Sequence, residues 1–191
     1  MKFEAFGAAL LGALAAGGLA SAFADTIEEK AAVCMACHGE QGVPVDTKIP
    51  VLFGQNEGYI YLELKDMKKG ARANEVMTPI VQDMSREDML AYAAYFSAKP
   101  WTNLLQTRAT AADSRKFDAI NASAGCTGCH QGSYLGAGTQ PHLAGQSYDY
   151  LVKTMRDFRS GARANNAWMK DLLNTYNDDD IQLMARVLAG K

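Results

Sequence analysis

With 191 residues, 48% hydrophobic and 21% charged, and a formal net charge of −2, the chain has ordinary globular composition and room for one large domain or two small ones. This near-neutral balance gives no reason to expect a nucleic-acid partner. Beyond the first two dozen residues no apolar run approaches the roughly 20 residues of a membrane span, so no span is expected in the remainder.

Residues 1–24 carry Lys2, an Ala/Gly/Leu-rich run and a closing Ala22-Phe23-Ala24, which fits the small-x-small rule for cleavage before Asp25. The run is too short and too diluted with Gly and Ala for a membrane anchor. Asp25, not cysteine, follows it, which excludes lipid attachment there. The expectation is a cleaved signal peptide and, in a bacterium, a periplasmic protein.

The next segment places Ile27, Ala31 and Cys34 on one helical face and runs into Cys34-Met35-Ala36-Cys37-His38. The same pentapeptide form, Cys126-Thr127-Gly128-Cys129-His130, recurs 92 residues on, and the two use all 4 cysteines. This is the attachment signature of c-type haem: two thiols add across the vinyl groups, and the adjacent histidine ligates the iron. Export favours disulfides, but a histidine trailing each pair favours thioether donors. Zinc knuckles normally lie within about 20 residues of each other, far closer than these. Two covalently bound haem c groups are expected, held by Cys34, Cys37, Cys126 and Cys129, with His38 and His130 as iron ligands.

Further along, Ile60, Leu64 and Met67 form a helical stripe, answered by Leu151, Met155 and Phe158. Leu52-Phe53-Gly54-Gln55 matches Leu143-Ala144-Gly145-Gln146, and Gly70-Ala71-Arg72-Ala73-Asn74 matches Gly161-Ala162-Arg163-Ala164-Asn165, both at an offset of 91. Met89, Tyr92, Ala93 and Phe96 mark a closing helix that Ile181, Met184, Ala185 and Leu188 repeat. Ser85 with Asp88, and Asn177 with Asp180, are placed to cap the two closing helices. The halves meet near Lys99-Pro100-Trp101-Thr102-Asn103-Leu104, which sets domains at 25–104 and 105–191. A short linker carrying tryptophan predicts halves packed together. No segment alternates with a strand period, so the fold class is all-α.

A haem iron closed to exogenous molecules needs a second protein ligand. The chain has 3 histidines, and the third, His142, stands where the first half has Val51, which argues against an essential role. Methionine is the remaining soft donor. A single methionine is ordinarily core packing, but Met77 and Met169 both stand 39 residues after their histidine, in a segment read as a loop before the closing helix, and are the expected axial ligands. Met84, Met89, Met155 and Met184 have no methionine counterpart and are assigned to packing, as is Met67, which faces Phe158. The repeated Pro50 and Pro141 fit either a plain turn or a carbonyl that orients the histidine ring. Arg72 and Arg163 suit haem propionates through paired hydrogen bonds, or are simply solvated.

These motifs, with Pro-x-Leu-x-Gly-Gln from Pro50 and Pro141, Met77-Thr78-Pro79, and Ala93-Ala94-Tyr95-Phe96 in the closing helix, resemble the dihaem cytochrome c4 family over essentially the whole mature chain. The resemblance implies two tandem class I cytochrome c domains, each wrapped round one haem with His/Met ligation. It implies close haems across the interface and electron exchange with periplasmic or membrane-bound redox proteins: a donor dehydrogenase, a terminal oxidase or reductase. Trp168, directly before Met169, departs from the smaller residue expected there. The expected function is outer-sphere electron transfer without a catalytic residue. The alternative is a dedicated electron-accepting subunit of a periplasmic dehydrogenase complex, for example a sulfide- or thiosulfate-oxidising one. A catalytic dihaem enzyme needs an open iron position or an unusual ligand, and no cysteine is spare. The first half of the mature chain carries a net charge of −4 and the second +2, a dipole that can orient docking.

Overall fold

Every regular element among the described residues of the computed structural model is a helix. The structure describes Met1 and residues 26–191; the rest of the expected signal segment lies outside the described residues. The first half consists of α1 (Ile27–His38), α2 (Glu57–Lys68), α3 (Met77–Val81) and α4 (Arg86–Ser97). The second consists of α5 (Ala111–Ala124), α6 (Cys126–His130), α7 (Tyr148–Ser160), α8 (Ala167–Leu173) and α9 (Asp178–Ala189).

Local chemistry explains where the long helices start. Thr26 with Glu29, Ser85 with Asp88, and Asn177 with Asp180 each form a reciprocal capping box, satisfying amides that the first helical turn leaves without partners. Burial then fixes their faces. Helix α4 turns Met89, Tyr92, Ala93 and Phe96 inward, and α9 turns in Ile181, Met184, Ala185 and Leu188. Helix α2 packs on α4 and α7 on α9. Each half thereby encloses its own apolar cluster, centred on Ala31, Ile60 and Phe96 in one and on Phe117, Leu151 and Ile181 in the other.

Between residues 98 and 110 the chain runs without a helix and lies against the second half. Gln106 donates through Nε2 to the carbonyls of Gly145, Gln146 and Ala189, and its Oε1 accepts from the Tyr148 amide at 2.8 Å. Trp101 stacks flat on His142, with ring centroids 3.7 Å apart. The tryptophan also rests on both repeated glycines. A Cβ at Gly54 meets the Trp101 backbone nitrogen at 2.8 Å, and one at Gly145 meets its indole nitrogen at 3.0 Å. Both glycines have positive φ, at 71° and 74°, a conformation in which a side chain is strained. Their amides donate to equivalent carbonyls at the ends of α4 and α9, Phe96 and Leu188, each at 2.9 Å.

Candidate functional site

The two attachment pentapeptides stand on different local structures. In the first half, Cys34, Cys37 and His38 occupy the last turns of the continuous helix α1. In the second, Gly125 adopts a left-handed conformation at φ 66°, ending α5 and setting Cys126, Cys129 and His130 on the separate five-residue α6. The repeat position of Gly125 is Val33, which remains helical because a β-branched residue resists positive φ. All four thiols are free of disulfides. Burial pushes the Cys34 thiol up to about 11 and the Cys126 thiol upward as well.

His38 and His130 are both buried, at 5% and 7% exposure. Nδ1 of His38 lies 2.8 Å from the Pro50 carbonyl oxygen, and Nδ1 of His130 lies 3.3 Å from that of Pro141. A carbonyl can only accept, so each Nδ1 carries the hydrogen and each Nε2 keeps its lone pair, the tautomer a metal requires. Burial holds both imidazoles below their usual range, which keeps them neutral.

Met169 lies on α8, where the Asn166 side chain accepts from its amide at 3.1 Å. It faces an apolar cavity shared with Cys126, His130, Tyr134, Leu143 and Tyr176. Thiol, imidazole and thioether thus meet in one pocket whose remaining walls are largely hydrocarbon, a donor set and polarity that fit a covalently attached haem. In the first half, Asn74 makes the matching hydrogen bond, its Oδ1 accepting from the Met77 amide at 2.8 Å, although the N-cap of α3 is Val76. The equivalence of Asn74 and Asn166 restores the 92-residue offset that the preceding segment breaks. Both methionines open or lie within short helices, α3 and α8, instead of the expected loop. Met77 is half-buried; the side chain that packs on the core of its half is Met84. Trp168 is 87% exposed and turned to solvent, so it leaves the interior of the second pocket unchanged.

Arg72 and Arg163 are neither solvated nor separate. Arg72 donates from Nη1 to Glu63 at 2.7 Å and from Nη2 to the Tyr150 hydroxyl at 3.4 Å. Arg163 pairs with the other oxygen of Glu63 and donates to Thr154 at 2.6 Å, Tyr59 at 3.1 Å and Asn165 at 3.1 Å. Burial pushes the Tyr59 hydroxyl upward, so it stays protonated. The cluster joins the halves around a single buried carboxylate.

A second polar set was not assigned from the sequence, although its members lie in a matched segment. The Val51 amide donates to Gln146 Oε1 at 2.9 Å, and Gln146 Nε2 donates to the Val51 carbonyl at 3.1 Å. Reciprocally, the His142 amide donates to Gln55 Oε1 at 2.7 Å, and Gln55 Nε2 donates to the His142 carbonyl at 2.9 Å. The two clasps are related by the internal repeat. Repetition of Gln55 and Gln146 was the available signal; nothing in it says that each reaches the opposite half.

Residues 118–183 match the family described as cytochrome c. The chain is 34% identical over 192 residues to a cytochrome c4 of Pseudomonas aeruginosa, covering 95% of this chain and 96% of that one. It is 31% identical over 175 residues to a thiosulfate dehydrogenase electron acceptor of Stutzerimonas stutzeri strain A1501, covering 84% and 79% respectively. The crystal structure of reduced recombinant cytochrome c4 from Pseudomonas stutzeri matches with a TM-score of 0.76 at 29% identity, covering 86% of this chain and 96% of that one.

Proposed function

This chain belongs to the cytochrome c4 family, and from that premise we propose that it is a periplasmic carrier with two His/Met-ligated haems, one in each of the domains 25–104 and 105–191. Like the family's other members it is a haem c-binding electron-transfer protein with the tandem class I cytochrome c fold, and not an enzyme. The observation that carries the finer reading is the apolar cavity of the second half, where Cys126, His130 and Met169 meet.

When bound, haem supplies a one-electron iron couple. The chain does the rest. Cys34 with Cys37, and Cys126 with Cys129, supply the sulfurs for attachment. His38 and His130 present Nε2, their rings held by the proline carbonyls. Met77 and Met169 supply thioether sulfurs, soft donors that favour the reduced iron. With both remaining positions of a bound iron taken by these residues, electrons would pass without ligand exchange. Arg72 makes two hydrogen bonds within the protein where Arg163 makes four, so Arg72 has more donors left for a propionate. Export by cleavage after residue 24 places the carrier among periplasmic and membrane-bound redox proteins; no helix among the described residues is long and apolar enough to cross a membrane.

The test is a pyridine haemochrome assay with a spectrally followed potentiometric titration of the purified, exported protein. Two thioether-linked haems per chain and low-spin spectra in both oxidation states are expected. A single haem, or a high-spin resting spectrum, overturns the reading. The likeness to the thiosulfate dehydrogenase electron acceptor supports a second reading, a dedicated accepting subunit. Stable co-purification with a dehydrogenase distinguishes it from a free carrier.

A further inference from the structure

The two glutamine clasps hold more than the interface. A peptide unit shares its carbonyl with one residue and its N–H with the next. The unit joining Pro50 to Val51 therefore accepts from His38 on its oxygen, at 2.8 Å, and donates from its nitrogen to Gln146 Oε1, at 2.9 Å. The unit joining Pro141 to His142 accepts from His130, at 3.3 Å, and donates to Gln55 Oε1, at 2.7 Å. Each hydrogen-bond chain starts on a histidine in one half and ends on a glutamine in the other. Gln55 and Gln146 are themselves buried, at 4% and 2% exposure, so water does not compete for these amides.

We propose that Gln55 and Gln146 are crossed positioning residues: each sets, from the opposite half, the hydrogen bond behind the other half's axial histidine. The proposal rests on the reading that His38 and His130 ligate haem iron. Hydrogen bonds in series polarise one another. Donation from the Val51 N–H to Gln146 shifts electron density toward the Pro50 oxygen and makes it a better acceptor for His38. A better acceptor makes the imidazole a stronger donor to its metal, which favours the oxidised iron. The second contact of each clasp, from Nε2 to the carbonyl of Val51 or His142, fixes that strand of backbone so that the histidine ring cannot turn freely. The geometry also explains why both glutamines stand in the repeat: the arrangement is self-complementary, and each half uses the same residue to give and the same peptide to receive.

The experiment compares the holoprotein with its Gln55→Met and Gln146→Met variants, measuring the two potentials and the helical circular dichroism of each. Haems are assigned to halves by the loss of one charge-transfer band in Met77→Ala and Met169→Ala. Gln146→Met is expected to raise the potential of the haem on Cys34 and Cys37, and Gln55→Met that of the haem on Cys126 and Cys129. At fixed ambient potential each favours its reduced form by about three- to tenfold, roughly 30–60 mV at 59 mV per decade. The haem of the variant's own half stays within error of wild type. Equal shifts of both haems, a shift only in the variant's own half, or no shift in either variant overturns the proposal. Where a methionine variant fails to fold, Gln146→Glu, above neutral pH, keeps the acceptor for the Val51 amide, gives up the donor to the Val51 carbonyl and adds charge; it is expected to lower the first haem's potential, and a rise overturns the crossed assignment. Failure of the underlying reading is distinct: wild type then carries fewer than two haems per chain, whatever the variants do.

Discussion

Met77 and Met84 both stand between α2 and α4 in the sequence, and the structure packs Met84, not Met77, on the apolar core of that half. Its repeat counterpart, Tyr176, packs on the other core, and a tyrosine at this place shows that the position is a core position in both halves. Met77 is instead paired with Met169 by the hydrogen bond from its amide to an Asn side chain. Met77→Ala and Met169→Ala are each expected to remove the sulfur-to-iron charge-transfer absorption of one haem, while Met84→Ala keeps both bands and lowers stability by about 2–5 kcal/mol at most. An absorption lost on changing Met84 moves the ligand to that residue. At this scale the sequence was most informative where chemistry demands one residue type, at the cysteines and histidines. It was least informative at Arg72, Arg163 and Gln146, whose partners across the interface lie 78 to 104 residues away and are set only by how the halves meet.

Among the elements, the long helices were legible because capping side chains and apolar stripes act within a few residues: Ser85 with Asp88 and Asn177 with Asp180 form the boxes that their spacing implied. The short elements were not. Helices α3, α6 and α8 span 5, 5 and 7 residues, too few to show a period, and α6 and α8 start at a left-handed glycine and an Asn cap. The repeated Gly54 and Gly145 were visible, but not their common neighbour, Trp101. That neighbour predicts unequal responses. Gly54→Ala drives a methyl group against the Trp101 backbone, and Gly145→Ala against its indole, which can shift. Both carry the left-handed penalty of about 1–2 kcal/mol; Gly54→Ala is expected to add about 1–3 kcal/mol for overpacking. Thermal unfolding of the two holoproteins gives the order, and equal losses show that the indole cannot move.

Across the whole molecule, one of the contacts that join the halves is made by an imidazole, His142. Stacked on Trp101 and half-buried, its ring is held below the usual value of 6.5 by burial. The unfolded chain therefore takes up a proton on this residue before the folded one does. Its contribution to stability is complete above about pH 6.5 and declines as the pH falls through the window below it. Replacing His142 by valine, the residue at the matching place in the first half, is expected to flatten that part of the pH profile of the melting temperature. A parallel, unflattened profile assigns the dependence to other groups, the buried His38 and His130 or carboxylates.

The ionic contact between the halves makes a sharper demand. Glu63 is 6% exposed and receives Arg72 from its own half and Arg163 from the other. Its repeat counterpart is Thr154, which accepts from Arg163 but carries no charge, so two buried guanidinium groups share one carboxylate. That imbalance breaks the internal symmetry of the interface in charge. Removing the carboxylate leaves both cations buried without it, a change that costs about 3–5 kcal/mol when a pair is broken from one side. Glu63→Gln is therefore expected to lower the unfolding free energy of the holoprotein, read from denaturant titration, by that amount, at 1 M salt as well as at low salt, since buried pairs are screened far less than exposed ones. A loss below about 1 kcal/mol, or one that salt abolishes, shows that Arg72 and Arg163 draw their compensation elsewhere, and Arg72→Gln then identifies it: a changed haem potential points to a propionate, an unchanged one to the surrounding hydroxyls of Tyr59 and Tyr150.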